Sequence, residues 1–281
     1  MKISLILCTK NRLKEVDIFL KSLSKQIYQN FELIIVEQNE DKRVKKLIKN
    51  YDFDIIYLTS KIGLSLGRNK GLQYARGDIV GFPDDDCFYP EELLYNVANF
   101  FNKNKYDILT GKTIDKKTKK IVAGKNIIKP QEIKPLKISG SSTTLFIKHN
   151  KDINFDEKLG IGSTFYAEEE NDLIFRLLKK GYIGYYNPDI IYVYHPPSDL
   201  DYSNIKRAME RGIGLGAFIK KNINSLEGKI YFIKYNIIRP LFGSLFHLAK
   251  LNFIKSKFYF YKFLGIWKGF IKYNRIKDDT I

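Results

Sequence analysis

The chain has 281 residues and a formal net charge of +17, and 44% of its residues are hydrophobic. This length and apolar content exclude an unfolded chain and suffice for one large domain, alone or with an appendage. The positive charge favours an anionic partner such as nucleic acid, an anionic membrane or a nucleotide, although most of the lysines are expected to form a solvated surface.

The cysteines and the apolar runs bear on the cellular compartment. Only Cys8 and Cys87 are present, so a disulfide framework is not expected and a reducing cytosol is favoured. The apolar run Ile3–Cys8 is too short for a secretory signal, and no segment reaches the roughly 18 uncharged apolar residues of a spanning helix. We therefore predict a cytoplasmic protein, with the inner face of the plasma membrane as an alternative location.

The first part of the chain alternates strand-like and helix-like segments. Apolar runs predict strands at Ile3–Leu7, Glu32–Val36, Asp54–Leu58 and Asp78–Phe82. Val16, Phe19, Leu20 and Leu23 fall at helical spacing after the first run. This alternation predicts an α/β fold with a mostly parallel central sheet covered on both faces.

Polar residues follow three of these runs, where parallel sheets bind their ligands. They are Thr9, Asn11 and Arg12 after the first strand, Glu37, Gln38 and Asn39 after the second, and Asp84, Asp85 and Asp86 after the fourth. We expect these residues to meet at one edge of the sheet.

The middle of the chain is less regular. Residues 110–135 lose periodicity and fill with lysine, so we predict a solvated excursion or a mobile loop there. A strand is predicted at Thr143–Ile147, followed by a helix that includes Leu173 and Leu177 and ends near Gly181. Beyond about Asp201 the chain becomes helical and dense in aromatics and lysines, which predicts a domain at 1–200 and an extension at 201–281.

The acidic triplet 84–86 directly follows an apolar strand. In extended backbone Asp84 and Asp86 share a face, and Asp85 points elsewhere. Carboxylates packed this closely repel one another unless a divalent cation binds between them. The alternative is an acidic turn that caps the helix predicted to start near Tyr89-Pro90-Glu91-Glu92.

Three neighbouring segments together carry a family resemblance. They read G-L-S-L-G-R-N-K-G at 63–71, A-R-G-D-I-V at 75–80 and F-P-D-D-D at 82–86. They resemble the family 2 glycosyltransferases, in which a G-x-x-x-A-R-N-x-G-like stretch and A-x-G-[DE] precede a strand ending in D-x-D. Gly67 stands where the family commonly has Ala. The resemblance implies a GT-A-type, Rossmann-like α/β/α sandwich, here with a C-terminal helical extension.

The resemblance also implies a donor-binding half at 1–110 and an acceptor and base half at 111–200. The first strand and its turn match the family's T-x-N-R-like segment, and Glu37 takes the position of an Asp that contacts the base or ribose. The donor-binding residues implied are Thr9, Asn11, Arg12, Glu37, Arg68, Asn69, Asp84 and Asp85.

A second acidic cluster, at 168–172, is similar to the family's E-D-x-D-L-x-x-R-L segment. The resemblance implies that Glu170 is the catalytic base, with Glu169 as the alternative, although Glu170 stands where the family has Asp. A partly desolvated carboxylate has the raised pKa that suits a general base. Acids in the first turn of a helix are also favourable for its dipole, so a structural role is the alternative.

His195, in Val193-Tyr194-His195, resembles a family segment whose His completes the metal site. The implied ligands are Asp86, Asp84 and His195, and the implied cofactor is Mn²⁺ or Mg²⁺. A lone His at a strand end is more often structural, so this assignment depends on the resemblance.

The implied reaction is a single inverting displacement from a nucleoside-diphosphate sugar, most commonly a UDP-sugar, to an acceptor hydroxyl. The implied acceptor is a saccharide or a lipid-linked molecule in surface polysaccharide, lipopolysaccharide or glycoconjugate synthesis. Residues 230–273 interleave aromatics with lysines, which is typical of an amphipathic helix at an anionic membrane. A helical cap on the catalytic domain or a homodimer contact explains the pattern equally well.

Two other classes of protein fit the sequence less well. Sugar-nucleotide pyrophosphorylases would carry a Gly-rich loop after the first strand, and 9–12 contains no Gly. A nucleic-acid-binding protein would need a basic ligand edge, whereas the expected edge is acidic. We therefore expect a nucleotide-sugar partner and no nucleic acid.

Overall fold

The computed structural model describes residues 1–123, 129–138, 140–196 and 202–278. The chain divides into two compact units, each described by itself below. The first comprises Met1–Phe155 and Leu173–Asp199, and the second comprises Asp156–Asp172 and Leu200–Ile281. The segment 156–172, which we placed with the catalytic domain on sequence grounds, groups with the C-terminal unit.

The strands belong to the first unit. They are β1 Ile3–Thr9, β2 Phe31–Glu37, β3 Ile55–Thr59, β4 Ile79–Gly81, β5 Ile108–Thr110, β6 Lys112–Ile114, β7 Ile121–Ala123, β8 Gln131–Ile133, β9 Phe146–Lys148, β10 Gly184–Tyr186 and β11 Tyr192–Tyr194. The helices that begin in the first unit are α1 Leu13–Leu23, α2 Val44–Leu47, α3 Leu64–Leu72 and α4 Leu93–Lys103.

Eight strands form one sheet in the order β3-β2-β1-β4-β9-β5-β10-β8, and β11-β6-β7 form a second. The pairs β1–β2, β2–β3, β1–β4 and β5–β10 are parallel, whereas β9 runs antiparallel to both β4 and β5. The predicted α/β architecture with parallel strands at the N-terminal half is therefore present.

The central strands are buried on both faces. Every residue of β2 is buried, and in β1 only Cys8 is partly exposed. Their Ile, Leu and Val side chains suit a strand covered on both sides. In α1 the buried face includes Val16, Phe19 and Leu23, at the predicted helical spacing. These elements follow from short-range apolar patterns.

One prediction for the middle of the chain was wrong, and another was correct in the element but not in its first residue. Residues 110–135 contain the short strands β6, β7 and β8 instead of an irregular excursion. Strands of three residues are too short to give a detectable periodicity, which is why the pattern failed there. The strand predicted at Thr143–Ile147 begins later, because Ser142–Thr144 form a 3₁₀ turn and β9 starts at Phe146.

The second unit is helical, as expected for the extension. It contains α6 Ile205–Asn222, α7 Leu226–Tyr231, a π-helical segment Phe232–Ile238, α8 Arg239–Ala249 and α9 Phe253–Asp278. Helix α5, Glu169–Lys179, begins in this unit and continues into the first. In the described part of the chain, we find no helix with both the length and the apolar character to cross a bilayer.

Helices α6 and α9 pack through glycines. A Cβ atom at Gly216 would lie 2.0 Å from the carbonyl oxygen of Ile266, and one at Gly269 would lie 2.0 Å from that of Ile213. No Cβ atom fits at such distances, so the two backbones approach one another only because these positions lack side chains.

Candidate active site

The acidic triplet lies just beyond the end of β4, next to the end of β1. The backbone N–H of Cys87 donates to the carbonyl of Asp84 at 3.3 Å, which folds the triplet into a turn. Because β1 and β4 are adjacent and parallel, this turn lies beside Thr9, the last residue of β1. The structure thus brings together polar residues that are 70 or more positions apart.

Asp85 is buried and binds the first loop. Its carboxylate accepts hydrogen bonds from Thr9 Oγ1 at 2.8 Å and from an Arg12 guanidinium nitrogen at 2.9 Å. Burial raises the pKa of Asp85 to about 6, since the Thr9 hydrogen bond and the Arg12 charge offset only part of the desolvation. Asp85 therefore faces Thr9 and shares Arg12 with Asp86, so the turn, and not the alternation of an extended strand, sets its direction.

Asp86 lies between Arg12 and His195. Its Oδ2 accepts from Arg12 at 2.6 Å, and its Oδ1 is 3.0 Å from His195 Nε2. Burial opposes charge on both groups, but their mutual hydrogen bond outweighs it, so the pKa of Asp86 is lowered and that of His195 is raised. The pair therefore favours the charged forms.

A backbone pairing carries His195 to the triplet. Phe88 and Tyr194 exchange hydrogen bonds of 2.8 and 3.0 Å, which aligns the end of β11 with the chain just after Asp86. The Nδ1 atom of His195 lies 2.7 Å from the carbonyl of Pro196, so a proton on Nδ1 leaves Nε2 directed toward Asp86. In the charged form of His195 the Nε2 atom also carries a proton and donates to Asp86 Oδ1, and the Nδ1–H tautomer describes the neutral ring.

Asp84 is held by a buried cation. An Arg68 guanidinium nitrogen lies 3.3 Å from Asp84 Oδ1, and only 1% of the Arg68 side chain is exposed. The guanidinium also lies over the rings of Phe82 and Phe155, at 5.9 and 5.3 Å from their centroids. This arrangement fixes the direction of the Asp84 carboxylate.

Asp84, Asp86 and His195 fit a divalent cation. One ligand atom from each residue lies within 4.8 Å of the others. Two carboxylates and an imidazole are a donor set that Mn²⁺ accepts, and His195 Nδ1 already has the backbone partner that orients a metal-bound imidazole. A cation bound there would replace the contact between Asp86 Oδ1 and His195.

Three other predicted donor residues are bound mainly to protein groups. Glu37 is buried and accepts from Asn39, from the Val44 N–H and from the Tyr57 hydroxyl at 3.1, 3.2 and 2.7 Å. Asn69 bonds the backbone of Phe155 through both its side-chain nitrogen and its oxygen. Donor contact by Glu37, Arg68 and Asn69 stays a prediction.

Asn11 lies in the turn from β1 into α1. Its φ of 59° is in the left-handed region, which Asn adopts more readily than most residues. Its N–H donates to Asn39 Oδ1 at 2.9 Å, so the loops after β1 and β2 are linked. Asn11 itself stays exposed.

The alternative that the triplet caps a helix is not supported. Helix α4 starts at Leu93, with Glu92 at its N-cap and no side-chain cap hydrogen bond. The triplet bonds to Thr9, Arg12, Arg68 and His195 instead.

The second acidic cluster belongs to the second unit, at the start of α5. Glu169 is buried and Glu170 half-buried, and both lie in the first helical turn. Tyr166 and Glu168 have φ values of 63° and 72°, unusual for residues with side chains. Such strain persists only where the surroundings hold the loop in place, which makes this loop a candidate for function.

Sequence reasoning missed the charged groups around this cluster. Burial raises the pKa of Glu168, and burial also lowers the pKa values of Arg211 and Lys262, whose charges in turn interact with Glu168. Glu170 interacts with Arg211 as well. Arg211 and Lys262 lie in α6 and α9, too distant in sequence from 168–170 for a local pattern to reveal them.

Asp172 forms an ion pair with a lysine of α6. Lys221 Nζ lies 2.9 Å from Asp172 Oδ2 and 2.7 Å from Asp156 Oδ2. Both ends of the segment 156–172 are thereby tied to α6, which fixes the loop that carries the three glutamates.

Comparisons with known proteins agree with this picture. The family model described as Glycosyl transferase family 2 matches residues 4–159. The GalNAc(5)-diNAcBac-PP-undecaprenol beta-1,3-glucosyltransferase of Campylobacter jejuni is 28% identical over 160 residues, covering 52% of this chain and 52% of that protein. The chain thus spans about half of that relative, and between 17% and 34% of three others.

Two solved structures share the fold. TarS 1–349 of S. aureus, in complex with UDP-GlcNAc, superposes with a TM-score of 0.55 at 19% identity, covering 92% of this chain and 90% of that one. The mannosyltransferase PcManGT of Pyrobaculum calidifontis, in complex with GDP-Man and Mn²⁺, gives 0.67 at 13% identity, covering 95% and 86%. The GT-A-type architecture predicted from the sequence is confirmed. Since the family model covers more than half of the chain, the chain belongs to glycosyl transferase family 2.

Proposed function

We propose that this glycosyltransferase is metal-dependent and inverting, and that it moves a sugar from a nucleoside-diphosphate sugar to an acceptor hydroxyl. A UDP-sugar is the proposed donor, supported by the UDP-GlcNAc complex of TarS. A GDP-sugar is the alternative, because PcManGT binds GDP-Man with Mn²⁺.

The convergence of Asp84, Asp86 and His195 beside Thr9 and Arg12 carries this proposal. These residues come from three separate parts of the chain and meet beyond the carboxyl ends of adjacent strands, where α/β folds bind nucleotides. An acidic site next to an exposed arginine suits a cation and a diphosphate together.

The residues that meet around the acidic triplet are assigned to the metal and to the donor phosphates. Asp84, Asp86 and His195 would hold the divalent cation, which when bound neutralises the diphosphate leaving group. Arg12 is half-exposed and reaches the site edge, so it is assigned to the donor phosphates. Asp85, to which the Thr9 hydroxyl donates, would hold Arg12 in place.

The base is assigned to Glu170, with Glu169 as the alternative. It accepts the proton of the acceptor hydroxyl while that oxygen bonds to the anomeric carbon and the bond to the diphosphate breaks. One displacement inverts the configuration, and no covalent sugar–enzyme bond is formed.

A saccharide or lipid-linked acceptor in surface polymer synthesis is proposed. The Campylobacter relative is named for an undecaprenol-linked acceptor, which supports a lipid-linked molecule. Such an acceptor would place the reaction at the cytoplasmic face of a membrane. A homodimer, also expected as an alternative, stays a prediction.

The test is a thermal-shift panel of UDP-, GDP- and dTDP-sugars with and without Mn²⁺, on the parent chain and on Asp86→Ala. We expect one nucleotide class to stabilise the parent in Mn²⁺ only, by about 3 kcal/mol at a ligand concentration 100-fold above Kd. Asp86→Ala should lose this stabilisation. Asp41→Ala is the control, because its carboxylate binds only the nearby Arg43 among the described contacts.

Other outcomes would redirect the assignment. If no nucleotide stabilises the chain with or without Mn²⁺, the donor site proposed above is wrong. If pyrophosphate forms from a sugar 1-phosphate and a nucleoside triphosphate, the chain acts as a nucleotidyltransferase instead.

A further inference from the structure

Exposed apolar side chains are concentrated in the C-terminal helices of the second unit. In the part of the chain that the structure describes, 24 large hydrophobic side chains are exposed, and 15 of them lie between Leu226 and Ile271. Eight occupy the segment 239–257, which we call the C-terminal hairpin: Leu241, Phe242, Leu245, Phe246, Leu248, Leu251, Phe253 and Ile254. Isolated exposed apolar residues are ordinary, whereas a contiguous group marks an interaction surface.

Helix α8 packs with its small, polar side inward. Ser244 Oγ donates to the Ser256 carbonyl at 3.2 Å, and the His247 ring stacks on Tyr259 with centroids 5.4 Å apart. A Cβ at Gly243 would lie 3.0 Å from the same Tyr259 ring. The side toward α9 therefore consists of small and polar residues.

The opposite side of α8 holds the large apolar residues. At about 100° per residue, the five from Leu241 to Leu248 fall within an arc of about 160°. This is the reverse of a helix in a water-soluble protein, which buries its apolar stripe. Phe242, 72% exposed, shows that nothing in the described structure covers this side.

The turn between α8 and α9 presents a large apolar residue at its tip. Leu251 has a φ of 53° and its N–H bonds the Leu248 carbonyl, while the Asn252 N–H bonds that of His247. This is a Schellman closure, in which the left-handed position is usually glycine. Here it holds a leucine that is 75% exposed. Asn252 Oδ1 then caps α9 by accepting from the Lys255 N–H at 3.1 Å.

Helix α9 extends this surface with an exposed stripe that contains both apolar residues and lysines. Its exposed stripe runs through Phe253, Lys257, Phe260, Leu264, Lys268 and Ile271, at spacings of three or four residues. Lysines between apolar side chains can keep their charges in water while their stems lie along an apolar phase.

The charge of this region has one sign. Residues 228–277 contain eleven lysines and arginines and no Asp or Glu. A second copy of the chain on the same face would place like charges against one another, since the hairpin itself carries Arg239, Lys250, Lys255 and Lys257 and no acid, and this opposes self-association. An anionic lipid surface matches both the charge and the apolar side chains.

We infer that the C-terminal hairpin inserts its apolar side into the interface of an anionic lipid bilayer, with both helices lying along the membrane surface. Neither helix crosses the membrane. Leu251 and Phe253 at the tip and Phe242 and Leu245 on α8 enter the acyl boundary. Lys250, Lys255 and Lys257 bind lipid headgroups, each adding roughly fivefold to the affinity.

This inference does not depend on the transfer reaction, because the hairpin contains none of the residues assigned to donor, metal or base. Membrane binding can therefore fail while nucleotide binding succeeds, and the reverse.

The test is co-sedimentation of the full chain with vesicles of phosphatidylcholine, either pure or containing phosphatidylglycerol. We expect the parent chain to bind the anionic vesicles. The triple variant Phe242→Ser/Leu245→Ser/Leu251→Ser should bind them at least tenfold more weakly than the parent. The control is Ile18→Ser/Ile27→Ser/Ile183→Ser, which alters three exposed residues of the first unit and should bind like the parent. Lys255→Glu/Lys257→Glu should lose the preference for anionic vesicles. Circular dichroism checks that each variant is folded.

Three results would overturn the inference. In the first, the parent chain fails to bind anionic vesicles. In the second, the hairpin variant and the control variant bind these vesicles equally well. In the third, the lipid-free parent is a dimer by light scattering and the hairpin variant is a monomer, which would assign the surface to self-association.

Discussion

The three acids of the triplet have different neighbours. Asp84 faces the buried Arg68, Asp85 faces Thr9, and Asp86 faces His195. Each carboxylate thus has its own partner, which limits the repulsion between them. Asp85 binds Thr9 and Arg12 of the first loop, so we propose it as a positioning residue for Arg12, whereas Asp84 and Asp86 offer oxygens within 4.8 Å of each other and of His195.

The roles of the three glutamates can be separated by single substitutions. We expect Glu170→Gln to lower kcat by about 100-fold or more, with little change in melting temperature, because an amide cannot accept the acceptor's proton. Glu168→Gln should instead leave kcat largely unchanged and should not lower the melting temperature near pH 7, because burial raises the pKa of Glu168 and so disfavours its charged form in the folded chain.

Steady-state kinetics and thermal unfolding of the same variants check this division. A kcat loss confined to Glu169→Gln would transfer the base role to Glu169. A loss of stability without loss of kcat in all three variants would leave the cluster with a structural role at the helix N-terminus.

Glu32 provides a test of electrostatics away from the site. Its buried carboxylate accepts from Ser4 Oγ at 2.6 Å and pairs with Lys2 and Arg76 at 2.8 and 2.6 Å. Burial pushes the pKa of Glu32 upward, but these hydrogen bonds outweigh it and lower the pKa from 4.5 to about 2. A carboxylate whose pKa is lower in the folded chain than in the unfolded chain stabilises the fold at pH values above its unfolded pKa. This stabilisation is lost as the pH falls from about 4.5 toward 2.

We therefore expect Glu32→Gln to lower the free energy of unfolding by about 2 kcal/mol near pH 7, the partial exposure of Lys2 and Arg76 keeping the loss moderate. The difference from the parent should shrink below about pH 4. Urea unfolding across this range measures it, with the exposed Glu91→Gln as control. A difference that does not change with pH would show that the Glu32 charge does not stabilise the fold.

At the scale of elements, the pair α6 and α9 depends on backbone contact. Each helix contributes two glycines, four residues apart, to the contact: Gly212 and Gly216 in α6, and Gly265 and Gly269 in α9. A side chain at any of these positions would meet a carbonyl oxygen of the other helix, which cannot rotate away as a flexible side chain can.

We predict that Gly216→Val destabilises the second unit by about 3 kcal/mol, because the new Cβ would overlap the Ile266 carbonyl. Lys206→Ala, at an exposed position of the same helix, should have little effect. Denaturant unfolding followed by circular dichroism measures both. A loss below about 1 kcal/mol would mean that the helices can separate slightly and the close contact is not required.

The elements that the sequence predicts well are those with a pattern inside one segment. β1, α1 and β2 follow from runs of apolar residues or from Val16, Phe19 and Leu23 at helical spacing. The strands β6 to β8 are three residues each and depend on neighbours in the sheet. No local pattern could have predicted them.

The site was predictable in part for the same reason. The triplet 84–86 is visible as a sequence motif, and His195 was predicted from the resemblance of Val193-Tyr194-His195 to a family segment. The contact between Thr9 and Asp85 joins residues 76 positions apart, and the pairing of Arg68 with Asp84 requires the buried rings of Phe82 and Phe155. Such contacts follow from the fold, which a single sequence does not specify in detail.

At the scale of the whole molecule, the charge is unevenly distributed along the chain. The total is +17, and the segment 228–277 alone contains eleven cations without an acid. The remainder is much closer to neutral and contains the acidic triplet. Two kinds of anion, a nucleotide and a lipid surface, are thus assigned to different parts of one chain.

This distribution predicts different salt responses. Raising the salt from about 0.1 to about 0.5 M should weaken binding to anionic vesicles at least tenfold, since it screens many exposed lysines. The Mn²⁺-dependent thermal shift caused by the nucleotide should change much less, because direct coordination of the metal by carboxylate oxygens is short-range and weakly screened by salt. Both are measured on the same preparation. Equal losses would contradict the division of charge between the two functions.

The glycine contacts between α6 and α9 also affect how this extension can diverge during evolution. Because the two helices meet through main-chain atoms, selection to keep them together acts on four small positions and leaves the outward stripe of α9 largely unconstrained by packing. Mutations there can accumulate without unfolding the chain. A descendant could therefore change its cellular location through a few surface substitutions while its donor site stays the same.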